Sequence, residues 1–197
     1  TGNITHTYAS AGTYSLAISG NFPQTYFLSS YKYDIDYIYR SDAFKLLTVE
    51  QWGTNPWQSM NNAFTACKNL SFIAADAPDL SNVTEMSGMF SGVIHLDLDI
   101  SAWDVSNVTD MSRMFQDSKF EGDINTWDVS NVTDMSSMFQ GSEFESDISA
   151  WDVSNVTNMS SMFQGSKLEG DISAWDVSNL RNVFRMFSEA TSFNQSL

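Results

Sequence analysis

The sequence predicts an α+β solenoid, a stack of short coils that each bury a face against the next. The first observation is the spacing of four tryptophans, since Trp103, Trp127, Trp151 and Trp175 lie 24 residues apart. The second is a column of phenylalanines at spacings of 26, 25, 24, 24 and 24 residues: Phe64, Phe90, Phe115, Phe139, Phe163 and Phe187. This array corresponds to about six coils.

Each coil is predicted to contain one short strand and one short helix or 3₁₀ turn. In "NVTDMSSMF", Val132, Met135 and Phe139 stand at i, i+3 and i+7, which is the apolar stripe of a helix. Ser130 or Asn131 is the expected N-cap, and Gly141 ends the helix. A "GDIS"-type strand carries the residues expected to point inward: Ile124, Ile148 and Ile172. This combination is typical of right-handed, leucine-rich-repeat-like coils of about 24 residues.

The chain divides into two predicted regions. Residues 1–55 are expected to form a β-hairpin-rich N-terminal cap, because "NITHTYASAGTYSLAISGNF" alternates apolar and polar residues across "AGT". Residues 56–197 are expected to form the solenoid, with an incomplete C-terminal coil. Since "FSEATSFNQSL" stops midway through a repeat, we expect the native chain to continue, and the opening "TGNITHTY" has no signal-peptide pattern.

Charge excludes one class of partner. The net charge is −15, and nucleic-acid binding requires clustered Lys and Arg. Residues 71–174 hold 18 acidic and three basic side chains, so the repeats supply the whole imbalance. A partner of basic character suits this surface. No run of about 18 apolar residues occurs, so no membrane insertion is expected.

The repeat resembles a known family. The pattern "WDVSNVTDMSSMFQGS…F…DIS.W" is similar to the repeat of BspA-like bacterial surface proteins, including the large group in Mycoplasma lipoproteins. The resemblance implies an extracellular or bacterial cell-surface location, a leucine-rich-repeat-like solenoid, and an adhesion or interaction role without a shared enzymatic activity. Family repeats commonly read "FN.D" where this chain has "FEGD", "FESD" and "LEGD", so a role for that Asn is not transferred.

An enzyme is not expected. His6 and His95 are far apart in the sequence, and no G-x-S-x-G motif occurs. The single Cys67 lies in an apolar segment and is predicted to be a buried small hydrophobe. The Asn residues of the four "NVT" triplets are predicted to be structural, although they match the glycosylation sequon.

The predicted ligand-binding area is the strand face of the solenoid, around Ser101, Asn125, Ser149 and Ser173. The tryptophans leave two alternatives open. Inward indoles would close the core, whereas outward indoles at Trp103, Trp127, Trp151 and Trp175 would form a ladder for stacking on sugars.

The aspartates form columns that repel one another. Like charges ~4.8 Å apart in water repel by roughly 1 kcal/mol per pair. Turn hydrogen bonds to each carboxylate would offset this repulsion, and bridging Ca²⁺, the one cofactor candidate, is the alternative. The candidate calcium ligands are Asp104, Asp128, Asp152, Asp123, Asp147 and Asp171; Asp176 continues the first column, and Asp110 and Asp134 stand at the predicted helix starts.

The function predicted from these features is a non-enzymatic recognition or adhesion module of a bacterial cell-surface protein. Its partner would be a protein or glycan on another cell or surface. The alternatives are a carbohydrate-binding module using the Trp ladder and a purely structural spacer. The uncapped C-terminal coil is also expected to drive end-to-end self-association.

Overall fold

The structure, a computed structural model, describes residues 9–10, 12–15, 17 and 42–194. Its elements are a 3₁₀ helix at Asp42–Lys45 and two strands, β1 at Thr48–Val49 and β2 at Ser71–Phe72. The strands pair in parallel, with Thr48 opposite Ser71 and Val49 opposite Phe72. Most of the predicted cap, including most of the predicted hairpin, therefore lies outside the described residues.

Single parallel bridges connect each repeat to the next. Pro56 pairs with Asp79, and Leu96 pairs with Phe120. The longest column of bridges has one member in each of five successive repeats: Glu85, Asp110, Asp134, Asn158 and Asn182. Equivalent residues of successive repeats thus lie side by side, and the backbone segments that carry them run parallel.

Backbone hydrogen bonds at alternate residues reinforce these bridges. In one repeat, four N–H groups each donate to the carbonyl 23 residues further on, at 2.8–2.9 Å: Met135, Ser137, Phe139 and Gly141. The preceding repeat repeats the pattern from Met111 to Asp117, at 2.8–3.0 Å. Every second N–H of this segment therefore donates to a carbonyl of the next repeat.

The remaining hydrogen bonds fold the same segment into consecutive turns. Met138 N–H donates to the Met135 carbonyl at 3.2 Å, and Ser142 N–H donates to the Phe139 carbonyl at 3.1 Å. The third residue of each turn is left-handed, with φ of 55° at Ser137 and 65° at Gly141. A left-handed third residue is the mark of a type II turn.

The predicted helix and strand do not form in the repeats described between residues 74 and 194. A helix would direct each N–H to the carbonyl four residues back, but here alternate N–H groups bond across to the next repeat. The "GDIS"-type segment is irregular, and the bridge column lies instead at the Asp134 position. The leucine-rich-repeat-like solenoid, with its right-handed coils, stays a prediction.

The inward residues were nonetheless predicted correctly. Val132, Met135, Met138 and Phe139 are fully buried. Ile124, Ile148 and Ile172 are buried as well. The turns that begin at Met135 and Phe139 are four residues apart, close to one turn of a helix, so they place the same residues inside as the predicted helix would.

Aromatic rings stack from repeat to repeat inside the core. The ring centre of Phe139 lies 5.6 Å from that of Phe115 and 5.9 Å from that of Phe163, with interplanar angles of 6° and 2°. Within the same repeat, Phe144 also stacks on Phe139, with 4.2 Å between the two ring centres. Offset stacking of this kind adds about 0.5–1.5 kcal/mol per pair beyond the burial of apolar area.

Two glycines provide a matched test of the stacking register. Gly141 and Gly165 have nearly the same φ, 65° and 66°. A Cβ at Gly141 would lie 2.4 Å from Oδ1 of Asp117 in the preceding repeat, whereas one at Gly165 would meet nothing within 4 Å. We therefore expect Gly165→Ala to cost roughly 1 kcal/mol of unfolding free energy, from the left-handed backbone alone. Gly141→Ala should lower the unfolding free energy by more than Gly165→Ala does, because its Cβ must also displace the Asp117 carboxylate.

The measurement is urea denaturation of both variants with and without Asp117→Ala. Removal of the Asp117 carboxyl should bring the cost of Gly141→Ala down to that of Gly165→Ala. Equal costs in the wild-type background would contradict this prediction and show that the exposed Asp117 side chain moves aside.

Candidate functional site

One edge of the array consists of the repeated turns that surround the tryptophans. We call it the aspartate edge, and it comprises residues 99–106, 123–130, 147–154 and 171–178. The edge is continuous from repeat to repeat, since Thr126 Oγ1 donates to the Ser101 carbonyl at 3.3 Å. Asn131, just beyond it, donates its side-chain amide to the Ser106 carbonyl at 2.8 Å.

Aspartates at the start of each turn hold the backbone in place. Asp104 accepts the N–H of Ser106 at 3.1 Å and its hydroxyl at 2.6 Å, both on Oδ1. Asp147 accepts the N–H of Ser149 at 2.8 Å, again on Oδ1. Each is an Asx turn, in which the carboxylate bonds the backbone two residues ahead. The predicted turn hydrogen bonds are therefore confirmed.

The six predicted calcium ligands lie on this edge in two exposed rows, each of which has one further member, Asp176 or Asp99. One row has a member just after each tryptophan: Asp104, Asp128, Asp152 and Asp176. The other row opens each turn: Asp99, Asp123, Asp147 and Asp171. The structure thus brings these residues to one surface, and the turn uses one oxygen, Oδ1, of each carboxylate.

Turn hydrogen bonds outweigh the repulsion between neighbouring carboxylates. The N–H and hydroxyl of Ser149 lower the pKa of Asp147, against a smaller rise caused by the charge of Asp171. The same balance holds at Asp176, whose pKa Ser178 lowers although the charge of Asp152 raises it. At these two carboxyls the turn hydrogen bonds therefore favour the ionised form more than the neighbouring charge disfavours it.

A carboxylate is not essential to the turn itself. In the bridge column, Asp134 accepts the N–H of Ser136 at 2.7 Å, and Asn158 accepts that of Ser160 at 3.1 Å. Asp110 and Asp134 are thus turn residues of the bridge column, not residues at the starts of helices. Over the described ranges, no three Asp, Glu, His or Cys side chains come together as metal ligands. Calcium binding stays a prediction.

The tryptophans point inward. Trp103, Trp127, Trp151 and Trp175 are only 4–8% exposed. Nε1 of Trp151 donates to the Ile124 carbonyl of the preceding repeat at 3.0 Å, which ties the indole to the stack. The outward alternative is wrong for these four residues, because their ring faces are covered and cannot stack on a sugar.

The strand face predicted as the binding area is part of the aspartate edge. Ser101, Asn125 and Ser149 are half-buried in its turns, Ser173 is exposed, and their N–H groups are bonded by the neighbouring aspartates. The predicted strand is absent there because the Asx turns redirect the backbone. Their role in binding a ligand stays a prediction.

A mixed-charge column on another part of the surface was missed. Glu143 pairs with Lys119 at 2.9 Å and with Lys167 at 3.3 Å. It borders an open depression of about 340 Å³, whose other lining residues are Glu121, Glu145 and Ser146. The alternation of Lys, Glu and Lys at 24-residue spacing was the available sequence signal.

Other predictions concern single residues and the membrane. Cys67 is fully buried, as predicted, and burial raises the pKa of its thiol to about 12. Asn131 and Asn155, from two of the "NVT" triplets, donate to carbonyls of the preceding repeat. Within the described part of the chain, no helix is long and apolar enough to cross a membrane.

Comparison with known proteins identifies the repeat. The family model described as "Mycoplasma protein of unknown function, DUF285" matches residues 35–142, 58–167 and 116–197. The chain belongs to this family. Its matched segments include the whole aspartate edge and the bridge column. No curated protein and no solved structure matches the chain.

The lowered carboxyl pKa values predict acid sensitivity. The residues concerned on the aspartate edge are Asp99, Asp104, Asp147, Asp152, Asp171 and Asp176. A carboxyl whose pKa is lower in the folded state stabilises the fold above its unfolded pKa and loses that contribution as pH falls through the folded value. We expect the unfolding free energy to decrease below about pH 5.

Urea denaturation between pH 6 and about pH 2.5 checks this expectation. Asp152→Asn is the matched control, because it keeps an acceptor for the Ser154 N–H but does not titrate in this range. The pH dependence should be weaker in that variant. An unfolding free energy that rises on acidification would show that charge repulsion dominates instead.

Proposed function

We propose that this chain is a non-enzymatic recognition or adhesion module of a bacterial cell-surface protein, built as a leucine-rich-repeat-like solenoid. It would bind a protein ligand through the aspartate edge. The observation that carries the proposal is the pair of exposed carboxylate rows, held in a constant conformation by one Asx turn after another. Membership of the family supports a Mycoplasma-type repeat protein, and the cell-surface location rests on the resemblance to BspA-like proteins.

The partner's chemistry follows from the edge. The turn hydrogen bonds use Oδ1 of each carboxylate, and the exposed side chain leaves Oδ2 to a partner. Regularly spaced carboxylates on a rigid scaffold favour a partner that presents Lys and Arg side chains, because little ordering entropy is lost on this side of the interface. A glycan stacked on aromatic rings is disfavoured by the buried tryptophans.

The test is binding of the full chain to a panel of immobilised extracellular matrix proteins and to a glycan array, with and without millimolar Ca²⁺. The decisive variant carries Asn at positions 104, 128, 152 and 176, which keeps the turn acceptor and removes four charges. The matched control carries Gln at 50, 121, 145 and 169, which removes four charges elsewhere.

We expect at least one panel protein to bind the wild type and the Gln control, with a Kd weakened about tenfold or more in the Asn variant. Binding should also weaken as salt rises, because exposed charges are screened. Equal binding by all three proteins, or binding to glycans alone, would contradict the proposal. If binding requires Ca²⁺, the carboxylate rows would hold the metal as well as the partner.

A further inference from the structure

The four N-V-T triplets are nearly identical in their local sequence. Residues 79–87 and 104–112 differ at two positions only, and residues 104–112 are identical to residues 128–136. In each triplet the asparagine is exposed and the valine is buried; the four asparagines are Asn82, Asn107, Asn131 and Asn155. A difference in their contacts therefore comes from the fold rather than from the local sequence.

Three hydrogen bonds tie each later triplet to the preceding repeat. At Asn131, the side-chain amide donates to the Ser106 carbonyl at 2.8 Å. Thr133 donates both its N–H, at 2.9 Å, and its hydroxyl, at 3.2 Å, to the Thr109 carbonyl. The triplet of the repeat before and that of the repeat after form the same three bonds, at 2.8–3.2 Å.

The first triplet lacks all three bonds. Among the residues that the structure describes, the Asn82 side-chain amide, the Thr84 hydroxyl and the Thr84 N–H have no acceptor. Asn82 therefore makes none of the structural bonds that the sequence predicts for the four asparagines.

The backbone of the preceding repeat explains this difference. Trp57 N–H donates to the Asp79 carbonyl, and Met60 N–H donates to the Glu85 carbonyl, both at 3.0 Å. Residues 80–84 thus lie opposite residues 58 and 59 alone. Because five residues face only two, the triplet has no matching segment to which it can bond.

The groups that lack acceptors at this triplet are those that N-glycosylation uses. In the sequon N-x-T the side-chain nitrogen of Asn accepts a sugar. Nδ2 forms a bond to C1 of a sugar that is joined through C1 to a nucleotide or lipid diphosphate. The bond between C1 and the diphosphate oxygen breaks, the diphosphate leaves with the electron pair, and Nδ2 loses one proton. A transferase must reach this amide and the Thr hydroxyl, and in the later triplets both are already bonded.

We propose that Asn82 is an acceptor site for an N-linked glycan, and that the asparagines of the three later triplets are not. Asn82 lies outside the aspartate edge, which begins at residue 99. The proposal therefore does not depend on ligand binding there, and each can fail without the other.

The first test uses the folded full chain, UDP-glucose, and a soluble transferase that moves glucose to the Asn of N-x-T. Mass spectrometry of digested samples measures the rate of modification at each site. Asn82 should gain a hexose at least about tenfold faster than the other three asparagines, because these react only after local opening of the repeat. Equal rates at the four sites, or a faster rate at a later site, would overturn the proposal.

Synthetic peptides of residues 79–87 and 104–112 are the control for local sequence. Neither peptide contains the stack of repeats, so both should accept glucose at similar rates. A preference for the first peptide as large as that for Asn82 in the folded chain would assign the effect to Leu80 and Glu85, and would overturn the structural argument.

Two pairs of variants test the roles of the individual groups. Asn82→Gln and Thr84→Val should each abolish modification at residue 82, since one removes the acceptor and the other the hydroxyl. The matched variants Asn131→Gln and Thr133→Val should leave the rate at Asn82 unchanged. Modification that persists in Thr84→Val would overturn the assignment of this triplet as the sequon.

Mass spectrometry of the protein purified from the cells that produce it identifies the sugar donor. We expect a glycan on Asn82 and none on the other three asparagines. A single hexose would indicate a nucleotide-linked donor, and an oligosaccharide would indicate a lipid-linked one. An unmodified Asn82 would overturn the proposal.

Discussion

The hydrogen bonds that alternate N–H groups donate from one repeat to the next are the interaction on which the rest of the structure depends. They require the same backbone conformation in adjacent repeats, because the donors at Met135 to Gly141 and their acceptors 23 residues on must stay in register. The left-handed residues, the stacked phenylalanines and the bonded indoles all recur at positions set by this register. A repeated sequence is thus the consequence of a repeated backbone.

This constraint also explains why so many side chains in the repeat are polar and short. Few regular elements occur between residues 42 and 194, so turn N–H groups need side-chain acceptors, and Asp and Asn provide them. Asn158 shows that the turn needs an oxygen acceptor and not a charge. On the exposed edge the turn acceptor is Asp in every repeat, and it is this charge that the proposed partner would recognise.

The sequence predicted the repeat period and the buried residues well but the backbone conformation poorly. The 24-residue period and most of the buried residues were predictable, because burial needs only the apolar pattern: Met135, Phe139 and Ile124 are inside as expected. The helix was not, since turns that recur every four residues produce nearly the same spacing of apolar residues as a helix. The distinguishing feature is a left-handed backbone at Ser137, and serine gives no signal of it.

The most direct test of the account is deletion of one complete repeat, residues 131–154, which joins Ser130 to Asn155 and preserves every column. If stacking in register governs the fold, this protein keeps its circular dichroism spectrum per residue and unfolds cooperatively, with a lower unfolding free energy. Deletion of residues 131–142, half a repeat, brings unlike columns together and should abolish cooperative unfolding. The same outcome for both deletions, whether loss or retention, would contradict the account.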